Sequence, residues 1–323
     1  MLYKLCFKVF GEVKMKKDLL RISDYDADWL NSVIELAEDV KKNKEKYENH
    51  MHRKTLLMFF EKPSLRTRVS FETGMTQMGG HAIYYDISTS PMGKKETIKD
   101  TAIVASRYAD IMIARLFKNE DVKELAENAT VPVINALDDM AHPTQIVADL
   151  LTIKEKKGKF KGLKFVYAGD CENNVTYSLM EGCVMLGMDV WIVGPKEMMP
   201  KKENVEISRK LAEQYGGKLT ITNDMNEAFK DADIVYTDSW MSYHISPEEK
   251  EKRLKILMPY QVTKEMMSLT KSDSIFMNCL PAMRGQEQTA EVIDDPKHSV
   301  VYDEAENRLH AHKAIMLRLL GLA

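Results

Sequence analysis

TLLMFFEKPSLRTRVSFE, residues 55–72, gives the first sign of the fold. Its opening TLLMFFEK (55–62) is an apolar run of strand length, and Pro63 ends it. Ser64 then offers a helix N-cap, and a helix follows with Val69, Phe71 and Met75 among its apolar positions. A buried strand passing directly into a helix is the unit of an α/β protein with a parallel sheet.

The same alternation continues outward. HAIYYD (81–86), ADIMIAR (109–115) and TVPVINAL (130–137) read as further strands. STSPMGKKET (88–97) is loop-like through Pro91 and Gly93, and a helix starts at about Ile98. Upstream, residues 16–50 look helical, with Trp29, Leu30, Val33, Ile34 and Ala37 spaced for one face. A long helix from Thr144 to Lys157 ends at KKGKFKG, a basic, glycine-containing stretch that marks a candidate domain boundary. A second series follows: LKFVYAGD (163–170), MDVWIVGP (188–195), KLTITND (218–224), DIVYTD (233–238), SIFMNCLP (274–281) and SVVYDEA (299–305). A last helix is expected from about Asn307 to Leu320. The expectation is α/β, with two doubly wound parallel-sheet domains and an active-site cleft between them. Residues 1–150 form the first domain and 151–305 the second.

Bulk properties agree with two domains. The chain has 323 residues, against roughly 150 for an average domain. Its 46 basic and 49 acidic residues give a net charge of -3, which leaves no electrostatic footprint for nucleic acid. An anionic substrate therefore needs a local basic pocket. Cys6, Cys171, Cys183 and Cys279 are scattered, with no CxxC pair. Single thiols of this kind fit a reducing, cytoplasmic setting. No apolar run approaches the roughly 18 residues of a membrane span. The apolar residues at the N-terminus are interrupted by Lys4, Lys8 and Glu12, which argues against a signal peptide. Met15 is an alternative start.

Polar oddities gather at strand ends, where open α/β sheets bind ligands. Ser64-Leu65-Arg66-Thr67-Arg68 sits between a strand and a helix. The free N–H groups of a helix start, two hydroxyls and two guanidinium forks suit a phosphate. The alternative is an ordinary N-cap with two solvated arginines. Neither GxxxxGK[ST] nor GxGxxG is present, which weakens nucleotide and dinucleotide readings. His142-Pro143-Thr144-Gln145 opens a helix, and both His142 and Gln145 can donate to a carbonyl oxygen. A purely structural histidine is the plainer reading. Arg115 ends an apolar strand, where it needs an anion or a buried ion pair.

Seven motifs then follow one another in order: FFEKPSLRTRVSFE, the Arg115 strand end, HPTQ, GDCENNV, DSWMS, NCLP and DEAENR. This series resembles the ornithine/aspartate transcarbamylase family, above all its ornithine-using branch, over nearly the whole chain from Lys16. The resemblance implies transfer of a carbamoyl group from carbamoyl phosphate to the side-chain amine of L-ornithine, giving L-citrulline. It implies a carbamoyl-phosphate domain, an ornithine domain and a C-terminal helix (about 306–323) that packs back on the first. It also implies a homotrimer, or an assembly of trimers, with sites near subunit contacts, and no metal or organic cofactor. By the same resemblance Ser64, Leu65 (through its N–H), Arg66 and Thr67 bind phosphate. Arg115, His142, Gln145 and Arg308 hold the carbamoyl group and phosphate. Asn174, Asp238, Ser242 and Tyr243 meet ornithine. Cys279 and the Leu280 carbonyl lie at the reacting amine.

The chain departs from the family pattern in three places. Leu65 stands for threonine, Asn278 for the histidine of HCLP, and Tyr243-His244 for Met-Gly after Ser242. Asn278 can hydrogen-bond like one histidine tautomer but does not titrate near neutrality. Within the family the rivals are putrescine and acylated-ornithine transferases. The former replace the serine found here as Ser242 and carry an extra C-terminal helix; the latter use a tryptophan near 88–97, where none occurs. A non-catalytic, metabolite-binding paralogue is the reading of another class. It predicts loss of the charge-stabilising residues, and these are all present.

Overall fold

Four strands, β1 (Thr55–Phe60), β2 (His81–Asp86), β3 (Ile111–Arg115) and β4 (Val133–Leu137), form a parallel sheet in the order β2-β1-β3-β4. The computed structural model describes residues 17–89, 92–93, 95–241 and 246–323. Cys6 and Met15 lie outside them, as do Pro91, Ser242, Tyr243 and His244. Alternate strand residues enter two different cores. Leu56, Met58, Phe60, Ile111 and Ile113 face one, while Phe59, Met112 and Ala114 face the other. This is why the strands read as continuous apolar runs.

The helices of this half are α1 (Ala27–Lys42), α2 (Leu65–Gln77), α3 (Ile98–Ala105) and α4 (Asn119–Asn128). The helix expected over 16–50 is confined to α1. Asp26 caps its start by accepting from the Trp29 N–H at 2.7 Å, and Asn43 closes its end. From here α5 (Pro143–Lys157) leads out of the first sheet, passing residue 150 without a break. It stops at Gly158, whose φ of 69° places it in the left-handed region that ends helices.

The second sheet contains β5 (Lys164–Ala168), β6 (Asp189–Val193), β7 (Lys218–Thr222), β8 (Ile234–Tyr236) and β9 (Ile275–Met277), in the order β7-β6-β5-β8-β9, all parallel. Its helices are α6 (Asn174–Met185), α7 (Lys202–Tyr215), α8 (Met225–Phe229), α9 (Pro247–Leu257), α10 (Lys264–Met267) and α11 (Ala290–Ile293). The chain ends in α12 (Val301–Leu320). SVVYDEA is therefore not a strand. Ser299 makes an isolated bridge to Phe276, and the helix begins two residues later. Buried Glu304, Asn307, Arg308 and Ala311 recur at helical spacing, and this tertiary demand overrides the β-propensity of the two valines.

One apolar cluster runs through both halves, joining Met58 and Ile113 of the first sheet to Phe165 and Ile192 of the second through Ile146 and Leu150 of α5 and Leu179 of α6. At this junction α5 and α6 lie so close that a Cβ on Gly182 would sit 2.8 Å from Ile146 Cγ2. α12 packs against α1, α2 and α5, which returns the end of the chain to the first half.

Candidate active site

In each sheet the strand order reverses at one point, between β1 and β3 in the first and between β5 and β8 in the second. The carboxyl ends flanking such a reversal form a crevice. β1 and β3 deliver Ser64 and Arg115; β5 and β8 deliver Asn174 and Asp238. A cleft of about 700 Å³ lies over both reversals. Ser64, Leu65, Arg66, Arg115, His142, Gln145, Asn174, Asp238, Cys279, Leu280 and Arg308 all line it.

Pro63 breaks β1, and Ser64 starts α2 by accepting from the Thr67 N–H at 3.3 Å. The free N–H groups of this helix start and Arg66 thus turn to the cleft. Arg68 does not. It pairs with Glu72 at 2.9 Å and lies 3.8 Å from the Tyr84 ring centre, so only one of the motif's two arginines serves the crevice. Thr67 is buried just beneath, and its Oγ1 accepts from Arg308 Nη2 at 2.6 Å and from Arg115 Nη1 at 3.5 Å. One hydroxyl thereby gathers two guanidinium groups from β3 and α12. Burial pushes the Arg308 guanidinium down to about 10, still cationic at neutral pH.

His142 occupies the N-cap position of α5 but makes no side-chain cap bond, since Pro143 follows at the first helical position. Its backbone N–H is held by Ser178 Oγ at 2.9 Å, and its imidazole is left to the cleft. Burial, then the fields of Arg308 and Arg115, hold this imidazole neutral. Gln145, one turn on, gives Nε2 to Asp149 Oδ1 at 2.8 Å, and its Oε1 is buried without a partner.

The opposite wall is acidic and thiol-bearing. Cys279 Sγ donates to Asp238 Oδ1 at 3.2 Å. Burial raises both groups above their ordinary values, so the thiol is neutral. Asn174 opens α6 and donates to the Asp138 carbonyl, tying the second half to the first. Leu280 has φ 55°, a costly conformation for a branched residue, fixed by its N–H on Asn278 Oδ1 at 2.8 Å. Asn278 itself is buried below the cleft floor and also contacts Gln288 and Glu304, so it holds the backbone here and does not face substrate space.

Ser242 and Tyr243, expected at the ornithine end, lie outside the described residues. Several residues that reach the cleft escape the sequence reading. Met283, Gln286 and Lys250 line it. Lys62, Asp170 and Arg253 line an adjoining recess of about 510 Å³. Lys62 and Asp170 stand within FFEKP and GDCENNV, whereas Lys250 and Arg253 look like any solvated helix face. A separate cavity of about 680 Å³ beside Ile87, Ile98 and Phe117 contains none of the converging arginines. Among the described residues no His, Cys, Asp or Glu cluster could hold a metal. No described helix is long and apolar enough to cross a membrane.

Residues 17–155 match the carbamoyl-P binding domain of aspartate/ornithine carbamoyltransferase, and residues 161–319 match its Asp/Orn binding domain. The chain belongs to the aspartate/ornithine carbamoyltransferase family. Among curated family members, the catabolic ornithine carbamoyltransferase of Thermoplasma acidophilum is 47% identical over 306 residues, spanning 95% of this chain and 99% of its own. The ornithine carbamoyltransferase of Methanocaldococcus jannaschii is 48% identical over 284 residues, covering 88% and 92%. In three dimensions the family likeness is as close. The ornithine carbamoyltransferase of Pyrococcus furiosus superposes with a TM-score of 0.91 at 45% identity, covering 95% of this chain and 97% of that one. The ornithine transcarbamoylase of Giardia lamblia gives 0.87 at 48%, covering 95% and 99%.

Proposed function

We propose that this family member transfers the carbamoyl group of carbamoyl phosphate to the side-chain amine of L-ornithine, releasing L-citrulline and phosphate. The observation that carries this reading is the convergence of Arg66, Arg115 and Arg308 with neutral His142 on one wall of the cleft, opposite Asp238 and Cys279. In this division of labour residues 1–150 bind carbamoyl phosphate and residues 151–305 bind ornithine, while α12 lends Arg308 to the first.

The phosphate would rest on the start of α2, held by Ser64, the Leu65 N–H, Arg66 and Thr67. Arg115 would bridge a phosphate oxygen and the carbonyl oxygen, with His142 on the same oxygen. Gln145 and the Leu280 carbonyl would take the carbamoyl NH2. Asn174, Asp238, Ser242 and Tyr243 would orient the amino-acid end of ornithine. The neutral amine attacks the carbonyl carbon, the C–O bond to phosphate breaks, and the amine's proton passes to the departing phosphate, which leaves as hydrogen phosphate. Negative charge grows on the carbonyl oxygen and then on phosphate, where the arginines and the imidazole stabilise it. A free alkylammonium has a pKa of about 10, so the site must favour the neutral amine; desolvation beside Cys279 supplies that bias. Closure of the halves excludes water, which hydrolyses the donor.

A homotrimer in the cytoplasm completes the proposal. Leu65 and Val69 on α2 and Ile83 on edge strand β2 are exposed apolar side chains, which favours self-association. Light scattering of the purified chain tests the trimer. The activity test is citrulline formation from carbamoyl phosphate and ornithine, with putrescine and N-acetylornithine in parallel. Ornithine should give the highest kcat/KM; a higher value for either rival would overturn the acceptor assignment.

A further inference from the structure

Two carboxyl groups beneath the cleft, Asp149 on α5 and Glu304 on α12, are fully buried and both reach Gln145 Nε2 and the Tyr236 hydroxyl. Two ionised carboxylates so placed repel, and neither can donate a hydrogen to the other. The donors that reach them are neutral groups, which do not offset two buried charges. Gln145 Nε2 reaches Asp149 Oδ1 at 2.8 Å and Glu304 Oε1 at 3.5 Å. The Asn278 N–H serves Glu304 Oε2 at 2.9 Å. Asp149 Oδ2 and Glu304 Oε1 share the single hydroxyl hydrogen of Tyr236, at 3.3 and 3.2 Å, and Glu304 Oε1 has besides it only the long Gln145 contact. One proton on the pair removes the repulsion and adds a donor between them.

We propose that Asp149 and Glu304 hold one proton between them and act as positioning residues for Gln145, fixing its amide so that Oε1 faces the carbamoyl nitrogen. The inference rests on the carbamoyl-phosphate reading of the cleft. A flipped Gln145 would set its oxygen 2.8 Å from Asp149 Oδ1, an acceptor against an acceptor. The pair therefore selects one of two amide orientations, and it leaves Oε1 as the polar atom for the ligand. It also joins the halves, since Tyr236 and Asn278 belong to the second sheet and its loops. The other titratable groups around it are Cys183 on α6, Cys279 after β9 and Tyr236 on β8, all shifted upward by burial and so neutral, and the cationic Arg308 on α12. Burial raises both carboxyl groups, and the charge of Asp149 raises Glu304 further.

Infrared difference spectroscopy of the full chain without substrate tests the proton. Wild type should show the carbonyl stretch of a neutral carboxylic acid at pH 7, and Asp149→Asn or Glu304→Gln should remove or shift it. A wild-type spectrum without the band, or a band untouched by both substitutions, overturns the shared proton. Calorimetry tests the positioning. Asp149→Ala should weaken carbamoyl phosphate about tenfold while leaving inorganic phosphate within about twofold, because Gln145 acts on the carbamoyl end only. Equal weakening of both ligands marks a merely structural role and overturns it. Glu304→Gln, which keeps a neutral donor beside Asp149, should retain carbamoyl-phosphate affinity; a tenfold loss there also overturns the proposal. If wild type binds phosphate but not carbamoyl phosphate, the functional reading fails, and the infrared band still decides the pair.

Discussion

Arg308 Nη2 donates to Thr67 Oγ1 at 2.6 Å, across 241 residues of sequence. Both groups are buried, and the same oxygen receives Arg115. Thr67→Val keeps the shape and removes the acceptor. It should lower stability by about 2 kcal/mol, the usual cost of leaving a buried charged donor unmet. It should also raise KM for carbamoyl phosphate more than KM for ornithine. Thermal melts and steady-state kinetics check the two effects.

Arg66 has a buried Nε without a partner and lines the cleft beside the start of α2. Arg66→Ala should reduce carbamoyl-phosphate affinity by at least about 100-fold, the order expected for a charge-assisted contact to phosphate. Arg68→Ala should leave affinity within about threefold, since Arg68 is engaged with Glu72 and the Tyr84 ring. Calorimetry in which the two variants behave alike would refute the assignment.

His142 and His312 are buried and held neutral, chiefly by burial and next by Arg308; His310 is pushed down to about 4. A folded-state value below the unfolded value of about 6.5 means that unfolded chains bind more protons. Stability from these groups is therefore present above about pH 6.5 and falls as the pH drops, at about 1.4 kcal/mol per pH unit for each histidine. His312 stacks on Phe71 with its Nδ1 2.8 Å from Ser70 Oγ. His312→Gln should make denaturant stability less steep between pH 6.5 and 5, by roughly one proton's slope.

Gly182 allows α5 and α6 to approach, and Ser178 and Asn174 on the same helix hold the His142 N–H and the Asp138 carbonyl. Gly182→Ala should destabilise by about 1–3 kcal/mol through overpacking against Ile146. It should also lower kcat beyond what stability explains, because it moves the helix that fixes His142. Unchanged kcat at full folding would show that the junction tolerates displacement.

The strands were legible because burial on both faces leaves an unmistakable apolar run, as in 55–60 and 164–168. SVVYDEA was misread for a complementary reason. Its valines carry the local preference, but the helix is imposed by Glu304, Asn307 and Arg308, whose partners just after β9, on α5 and on α2 are distant in sequence. Arg66 and Arg68 look equivalent in a string. Two residues on a helix are separated by about 200°, so they face opposite ways. The arginines, His142 and Gln145 were found through their motifs. Asp149 carries no local mark of what it touches, because α5 is buried on every side from Pro143 to Ile153 and its partner Tyr236 is distant in sequence.

The return of α12 to the first sheet has a consequence for biosynthesis. Arg308 and the helix that seals α1, α2 and α5 leave the ribosome long after the first sheet is made. The N-terminal half thus waits, with an unsealed apolar face and an incomplete anion site, until that helix has been synthesised. A chain ended prematurely before residue 301 lacks both its lid of apolar side chains and its third guanidinium. Such a fragment lacks the full anion site for a labile acyl phosphate, and it presents chaperones and proteases with the exposed face by which unfinished chains are removed.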